Sequence, residues 1–345
     1  MHLRQTAPRT FRNYPLDNTQ LSTILIKSAG KFNVTGKARY LLINFMIEST
    51  ENQDVPGICG YSPLAEIELQ DCQFHMQNAR SQIGKCFVKL SYGGNHIISY
   101  VNSKDITSLE NIIKIDFFQP GQMRITDCQF KNITSSGTYV IGGAISANLN
   151  CDLNRLIIVD CTFNRCFTIN QDGGAIYVEN YLVQVFITLS HTQFIECQAV
   201  NGGGLCAKIT LGGQLVIENS SEFIQCTALF GNGGGIYSEI PTMKNSSTQF
   251  VIRDALIQNC WAVKSYSAPS STGFGGGIFI GQLGTYISST QSLDLKGMKI
   301  YGNSAIQGGQ SLYVIMNQLK EWCEYGLLGE YVKGNYSDTD SDEND

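Results

Sequence analysis

Twelve cysteines, four histidines and a spaced row of aspartates are the residues of this chain best suited to chemistry. Cys166, Cys197, Cys226 and Cys260 recur at one position of a repeated pattern, and Cys72, Cys128 and Cys161 at another. Regularly spaced thiols raise the prospect of disulfides or zinc. Asp71, Asp127, Asp160, His191 and Asp254 share a third position. Carboxylates brought side by side there could bind calcium or divide acid and base roles. Asp127, Asp160 and His191 are the sharpest catalytic candidates.

Each row also has a purely structural reading. The Cys72, Cys128, Cys161 position continues as Thr192, Ser221, Ala255 and Met298. Such interchange suits a small buried site, where cysteine behaves as a small hydrophobe. Twelve cysteines in 345 residues fall far below the ~8–10% of small disulfide scaffolds. Thiols on stacked strands would have parallel Cβ vectors about 4.8 Å apart, wider than the ~3.5–4.5 Å a disulfide prefers. Buried free thiols are therefore expected, with any disulfides confined to Cys59, Cys86, Cys151 or Cys323. No CxxC pair occurs, and His2, His75, His96 and His191 lie at no ligand spacing with the cysteines, so neither a metal nor a cofactor is expected. The aspartates occupy a turn position favoured for local hydrogen bonding, and Ser220 and Gly297 occupy it too.

The elements that position these rows emerge from internal self-similarity. The segments "CTFNRCFTINQDGGAIY" (161–177), "TQFIECQAVNGGGL" (192–205) and "SEFIQCTALFGNGGGIY" (221–237) align on a large apolar residue. Copies start at Phe74, Phe130, Phe163, Phe194, Phe223, Ile257 and Ile300, a period of about thirty residues with insertions. Ahead of each stands an alternating triplet: Ile67/Leu69, Met123/Ile125, Leu156/Ile158, Ile187/Leu189, Leu215/Ile217, Phe250/Ile252 and Leu293/Leu295. Alternation is the signature of a strand with one face inward. A second strand carries the cysteine and phenylalanine columns, and a third begins at "GGAIYV" or "GGGIYS". Glycine there suits a corner where backbones approach closely.

Three short strands per unit predict an all-β fold, a right-handed single-stranded parallel β-helix (a solenoid) of about seven or more coils. A propeller blade would need four antiparallel strands and hairpin turns, whose signals are sparse. Residues 1–63 are assigned to an N-terminal cap and irregular first coils, 64–318 to the β-helix, 319–335 to a C-terminal cap and 336–345 to a disordered acidic tail. "GNGGG" (231–235) lacks the Gly-Lys-Ser/Thr of a phosphate loop. Tyr177, Tyr237 and Phe279 follow the glycines and are expected to stack internally or laterally. The insertion from Lys264 to Phe274 is the loop expected to carry recognition.

Composition narrows the function classes. With 43% apolar and 15% charged residues the chain can bury a large core. A net charge of -5 without a basic block excludes an electrostatic footprint for nucleic acid or anionic lipid. No apolar run reaches the roughly 18 residues of a spanning helix, and the first twenty residues lack a secretory apolar segment, so neither membrane insertion nor a signal peptide is expected within the chain. Sequons at Asn33, Asn132, Asn219, Asn245 and Asn335 are glycosylation candidates.

The pairing of FxxC or IxxN with GGAI or GGGI resembles the repeats of bacterial polymorphic outer-membrane proteins. It is also similar to the β-helix surface proteins of flagellate protists, all with a pectin-lyase-like fold. The likeness spans roughly residues 64–318. It implies a cell-surface or extracellular location and adhesion, or recognition of glycans or surface proteins. The chain departs from that pattern by placing Cys166, Cys197, Cys226 and Cys260 where Asn is usual, keeping only Asn303. A polysaccharide lyase or glycoside hydrolase using the Asp127, Asp160, His191 edge is the alternative. The enzyme elements NTD, DD, HG and RIK have no close match.

Overall fold

A computed structural model of the chain describes residues 9–12, 21–26, 31–47, 56–76, 86–181, 184–210, 212–242, 248–265, 272–284, 293–295 and 298–317. Every regular element among them is a strand. The strands form three parallel stacks, each ten strands deep along its main path. Successive strands of the chain visit the first, second and third stack in turn, so one circuit is one coil of a parallel β-helix. The stacks begin at Arg9–Arg12, Ser22–Ile26 and Phe32–Val34 and run to Leu293–Asp294, Met298–Tyr301 and Leu312–Ile315.

The alternating triplets face inward as their period requires. Leu156 and Ile158 are buried while Ile157 and Val159 are half-exposed. Their strand, Arg155–Val159, pairs in register with Gly121–Thr126 on one side and Phe186–Ser190 on the other. The phenylalanine column forms the spine of the core. Phe130, Phe163, Phe194 and Phe223 are fully buried and stack with centroids 4.9, 5.1 and 4.4 Å apart, and Ile257 and Ile300 continue the row. Such stacking adds about 0.5–1.5 kcal/mol per pair to the burial of each ring.

Two features were hidden in the sequence. The wide gap between Phe74 and Phe130 contains a complete coil, in which Ser103 pairs with both phenylalanines. Its hydroxyl is buried without a hydrogen bond. Phe87, stacked on Phe74 at 4.7 Å, supplies aromatic bulk nearby. The second stack is also bent, with a left-handed residue between the phenylalanine and cysteine columns: Asp105, Asn132, Arg165, Glu196, Gln225, Asn259 and Gly302 all have φ between 52° and 65°. Beyond this bend lie short strands such as Gln198–Ala199, Thr227–Ala228 and Trp261–Ala262.

The glycine pairs turn the chain into the third stack. Gly173 has φ 74°, a conformation open mainly to glycine. At Gly174 a Cβ would collide with the carbonyl oxygen of Gly203 in the next coil. Tyr177 and Phe279 are buried on the outer side of this stack, and Tyr237 lies on Phe279 with centroids 5.2 Å apart. These rings form a lateral stack. The cap and tail segments after residue 317, and most of the Lys264 to Phe274 insertion, lie outside the described residues.

Candidate functional site

The aspartate row is the first bend of six coils, and Leu42 and Tyr100 hold the same bend in two others. Asp71, Asp127, Asp160, His191, Ser220 and Asp254 have φ between 47° and 58°, the left-handed region that Asp and Asn tolerate better than most side chains. Strands on either side are in register, so these residues project from one edge on adjacent coils. His191 Nδ1 lies 2.5 Å from Asp160 Oδ1, and both side chains are exposed. Ser220 Oγ donates to Asp254 Oδ2 at 2.7 Å. The Asp127 carboxylate stands exposed on the coil beside Asp160 with no hydrogen-bond partner among the described residues. The second bend follows the same rule: Asn132 Nδ2 donates to Asp105 Oδ1 at 2.7 Å, and Arg165 Nε to Glu196 Oε2 at 2.6 Å. That hydrogen bond holds the Glu196 carboxyl below its ordinary value.

The cysteine rows sit immediately after these bends and point inward. Cys161 Sγ donates to the carbonyl of Val159 at 3.2 Å and to that of Ile125, one coil below, at 3.7 Å. Cys197 repeats the arrangement at the second bend, reaching Ile195 at 3.5 Å and Phe163 in the coil below at 3.4 Å. Thr192 and Ser221 do the same with hydroxyls. The bend interrupts the strand ladder, and a small donor after it adds a side-chain hydrogen bond to bend carbonyls that also accept a backbone N–H from the neighbouring coil, Val159 O from Asp127 and Ile224 O from Glu196 among them. Asn303 shows why asparagine can replace cysteine here. Its Nδ2 donates to Ile257 O at 3.1 Å while its Oδ1 accepts the Cys260 N–H at 2.8 Å. All eleven cysteines among the described residues, Cys59, Cys86 and Cys151 included, are free thiols. Burial pushes Cys72 up to about 11 and Cys166 and Cys226 well above their ordinary value, so these thiols stay neutral and unreactive. Cys323 lies outside the described residues.

A polar cluster on the outer face of the third stack escaped the sequence reading. Lys208 Nζ lies 3.3 Å from Asp172 and over the ring of Tyr177. Tyr177 donates to Glu179 and Tyr237 to Glu239, both at 2.6 Å. Its signal was the alternation "IYVEN", "LCAK", "IYSE", which puts Glu179, Lys208 and Glu239 in one row across three coils. Among the described residues no group of three or more His, Cys, Asp or Glu side chains is placed to hold a metal ion. Of the sequons, Asn132 is half-buried and bonded to Asp105, Asn219 is exposed and donates to Ser190 Oγ, and Asn33 is half-buried in a strand. Asn245 and Asn335 lie outside the described residues.

Comparison with protein-family models, curated proteins and solved structures found no match to this chain. Fold and side-chain geometry together define its class: a parallel β-helix whose repeated polar residues bond from coil to coil. Among the described residues no helix is long and apolar enough to cross a membrane.

Proposed function

We propose that the chain is a non-catalytic cell-surface or extracellular recognition module, a rigid β-helix that presents long faces to glycans or surface proteins. One observation carries this reading. Most of the repeated residues that could do chemistry are engaged along the stack, thiols with carbonyls and corner side chains with the corner of the next coil, and Asp127 alone of the three catalytic candidates stands outside these contacts. The resemblance of the FxxC and GGAI repeats to surface proteins supports the location.

A second reading has one observation in its favour: the Asp160–His191 contact beside Asp127 could serve a polysaccharide lyase or glycoside hydrolase. A glycan array run beside a polysaccharide depolymerisation screen separates the two. Binding without turnover is the expected result. Chain cleavage that disappears in Asp160→Asn would overturn the recognition reading.

A further inference from the structure

The coils are not joined equally. Between the coil of Glu66–Gln70, Gln73–Met76 and Val88–Ser91 and the following coil of Gly94–Ser99, Asn102–Ser108 and Ile113–Phe117, the third stack is paired from Val88 to Ser91. The Phe87 and Tyr92 N–H groups extend that ladder to Ile112 O and Asp116 O. The first two stacks are less complete. Gly94–Ser99 pairs with the following coil over its whole length, but with the preceding one only from Ile97 to Ser99. Asn102–Ser108 pairs with the following coil on both sides of its bend, but with the preceding one, among the described residues, only at Asn102 and Ser103. Thr107 N–H there meets the Met76 sulfur at 3.2 Å. The core repeats the break. Phe74 and Phe87 stack together, the next ring stack begins at Phe130, and between them the buried Ser103 hydroxyl has no hydrogen bond.

A histidine closes the gap in the first stack. His96 is buried in the inward column between Ile67 and Met123, where Leu156 and Ile187 continue the row. Nδ1 accepts the Ile67 N–H at 3.2 Å and Nε2 donates to Gly93 O at 2.8 Å, so the ring stands in for the missing part of the ladder. Phe117 lies beside it with centroids 5.7 Å apart. A neutral imidazole with its proton on Nε2 satisfies both partners. A second proton turns Nδ1 into a donor facing a donor and leaves a charge in an apolar core. The charged groups on the strands packed around the ring alternate outward: Glu66 and Glu68, tied to Lys37 and Arg39, on one side, Arg124 on the other, and Lys114 and Asp116 on the strand of Phe117. Burial outweighs the pull of Gly93 and Glu66 towards the charged form. In the second stack His75 lies near Lys104 and Asp105 of the following coil, and burial and Lys104 make it, too, resist charging.

We propose that His96 makes this junction an acid-sensitive hinge: its protonation parts the first and second stacks between the two coils while the fully paired third stack holds, and the solenoid bends there. Parting lets the ring meet water. The open form is therefore favoured as pH falls below the ordinary histidine value of about 6.5, by at most a factor of about ten per pH unit. Bending redirects every face that crosses the junction, whatever the module binds.

Hydrogen exchange of the full chain at pH 7.5 and 5, read by mass spectrometry and corrected for intrinsic rates, tests this. Glu66–Gln70 and Gly94–Ser99 should lose protection at pH 5, by up to about thirtyfold. Val88–Ser91, Ile113–Phe117 and Arg155–Val159 should keep theirs. His96→Gln, whose amide can accept from Ile67 and donate to Gly93 at either pH, should remove the loss from Gly94–Ser99, and His191→Gln should leave it. Should His96→Gln fail to fold, imidazole nitrogen resonances of the wild type serve instead: the His96 ring should titrate below about 6.5 in step with the opening of Gly94–Ser99. No loss in the first stack, loss spread equally over the three stacks, loss unchanged in His96→Gln, or a ring that titrates out of step with the opening would each overturn the hinge.

Discussion

Asn303 and the cysteines of its column solve one problem with different atoms. The left-handed residue before each of them breaks the ladder, and the inward side chain donates to a carbonyl of the coil below. Asparagine satisfies two backbone groups, the Ile257 carbonyl and the Cys260 N–H. Asn303→Ala should therefore cost roughly 1–3 kcal/mol for each buried group left unpaired, read from the urea midpoint, and Asn303→Cys should recover part of the loss. His96 presents the same logic with a proton in it. The ring is buried in the first stack, Nδ1 accepting the Ile67 N–H at 3.2 Å and Nε2 donating to Gly93 O at 2.8 Å. This bonding requires the neutral form, and burial lowers its pKa despite the opposing influence of Gly93 and Glu66. A histidine depressed in the fold contributes its full stability above the unfolded pKa of about 6.5. As pH falls below that value the unfolded chain takes up a proton first, and stability declines by at most about 1.4 kcal/mol per pH unit. His75, also lowered by burial and by nearby Lys104, acts in the same direction. Urea midpoints between pH 7.5 and 5 should fall more in the wild type than in His96→Gln; equal slopes would discount His96.

At the scale of the strand and its corner, glycine positions that look alike in sequence are not equivalent. Gly174→Ala would drive a Cβ into the Gly203 carbonyl and against the backbone of Gln198, where neither can yield without shifting a coil. A loss of roughly 3 kcal/mol or more is expected. At Gly281 the nearest atom would be Phe279 Cε1 at 3.5 Å, an ordinary contact, so Gly281→Ala should gain about 0.4–1 kcal/mol by restricting the unfolded chain. Paired thermal melts check both signs. These contrasts explain which parts of the fold were legible. Triplets, phenylalanines and glycine pairs are each imposed by packing on nearly every coil, so they recur as letters. The coil centred on Ser103 carries none of them: Val101 stands where a cysteine would, and Asn111 donates to the Ile141 and Gly142 carbonyls ahead of its third strand. The second bend was hidden because Arg165, Glu196 and Gln225 share only a backbone angle. The Asp160–His191 contact was legible as two neighbours in one column. The exposed apolar residues of the connections from the third stack to the first, Leu64, Phe118 and Tyr181 among them, were not, since those connections differ in length and no alignment superimposes them.

For the molecule as a whole, one-dimensional stacking decides how stability is distributed. Each coil bonds only to the coils before and after it, so opening from an end removes one interface at a time, whereas opening at the centre breaks two. Protection against hydrogen exchange should therefore rise inward from both ends. Amides of Gly121–Thr126 and Arg155–Val159, and of Gln129–Ser135 and Thr162–Thr168, in the middle of their stacks, should exchange most slowly, and those of Ser22–Ile26 and Leu312–Ile315 fastest. The stacked rings from Phe130 to Phe223 sharpen the gradient by joining the central coils into one cooperative block. Replacing Phe194, at the middle of that block, with alanine should cost about 3–5 kcal/mol and flatten the profile on both sides of it. Protection that is uniform along the chain and collapses everywhere in Phe194→Ala would instead mark a single cooperative unit, in which the energy coupling the coils exceeds the stability of any one of them.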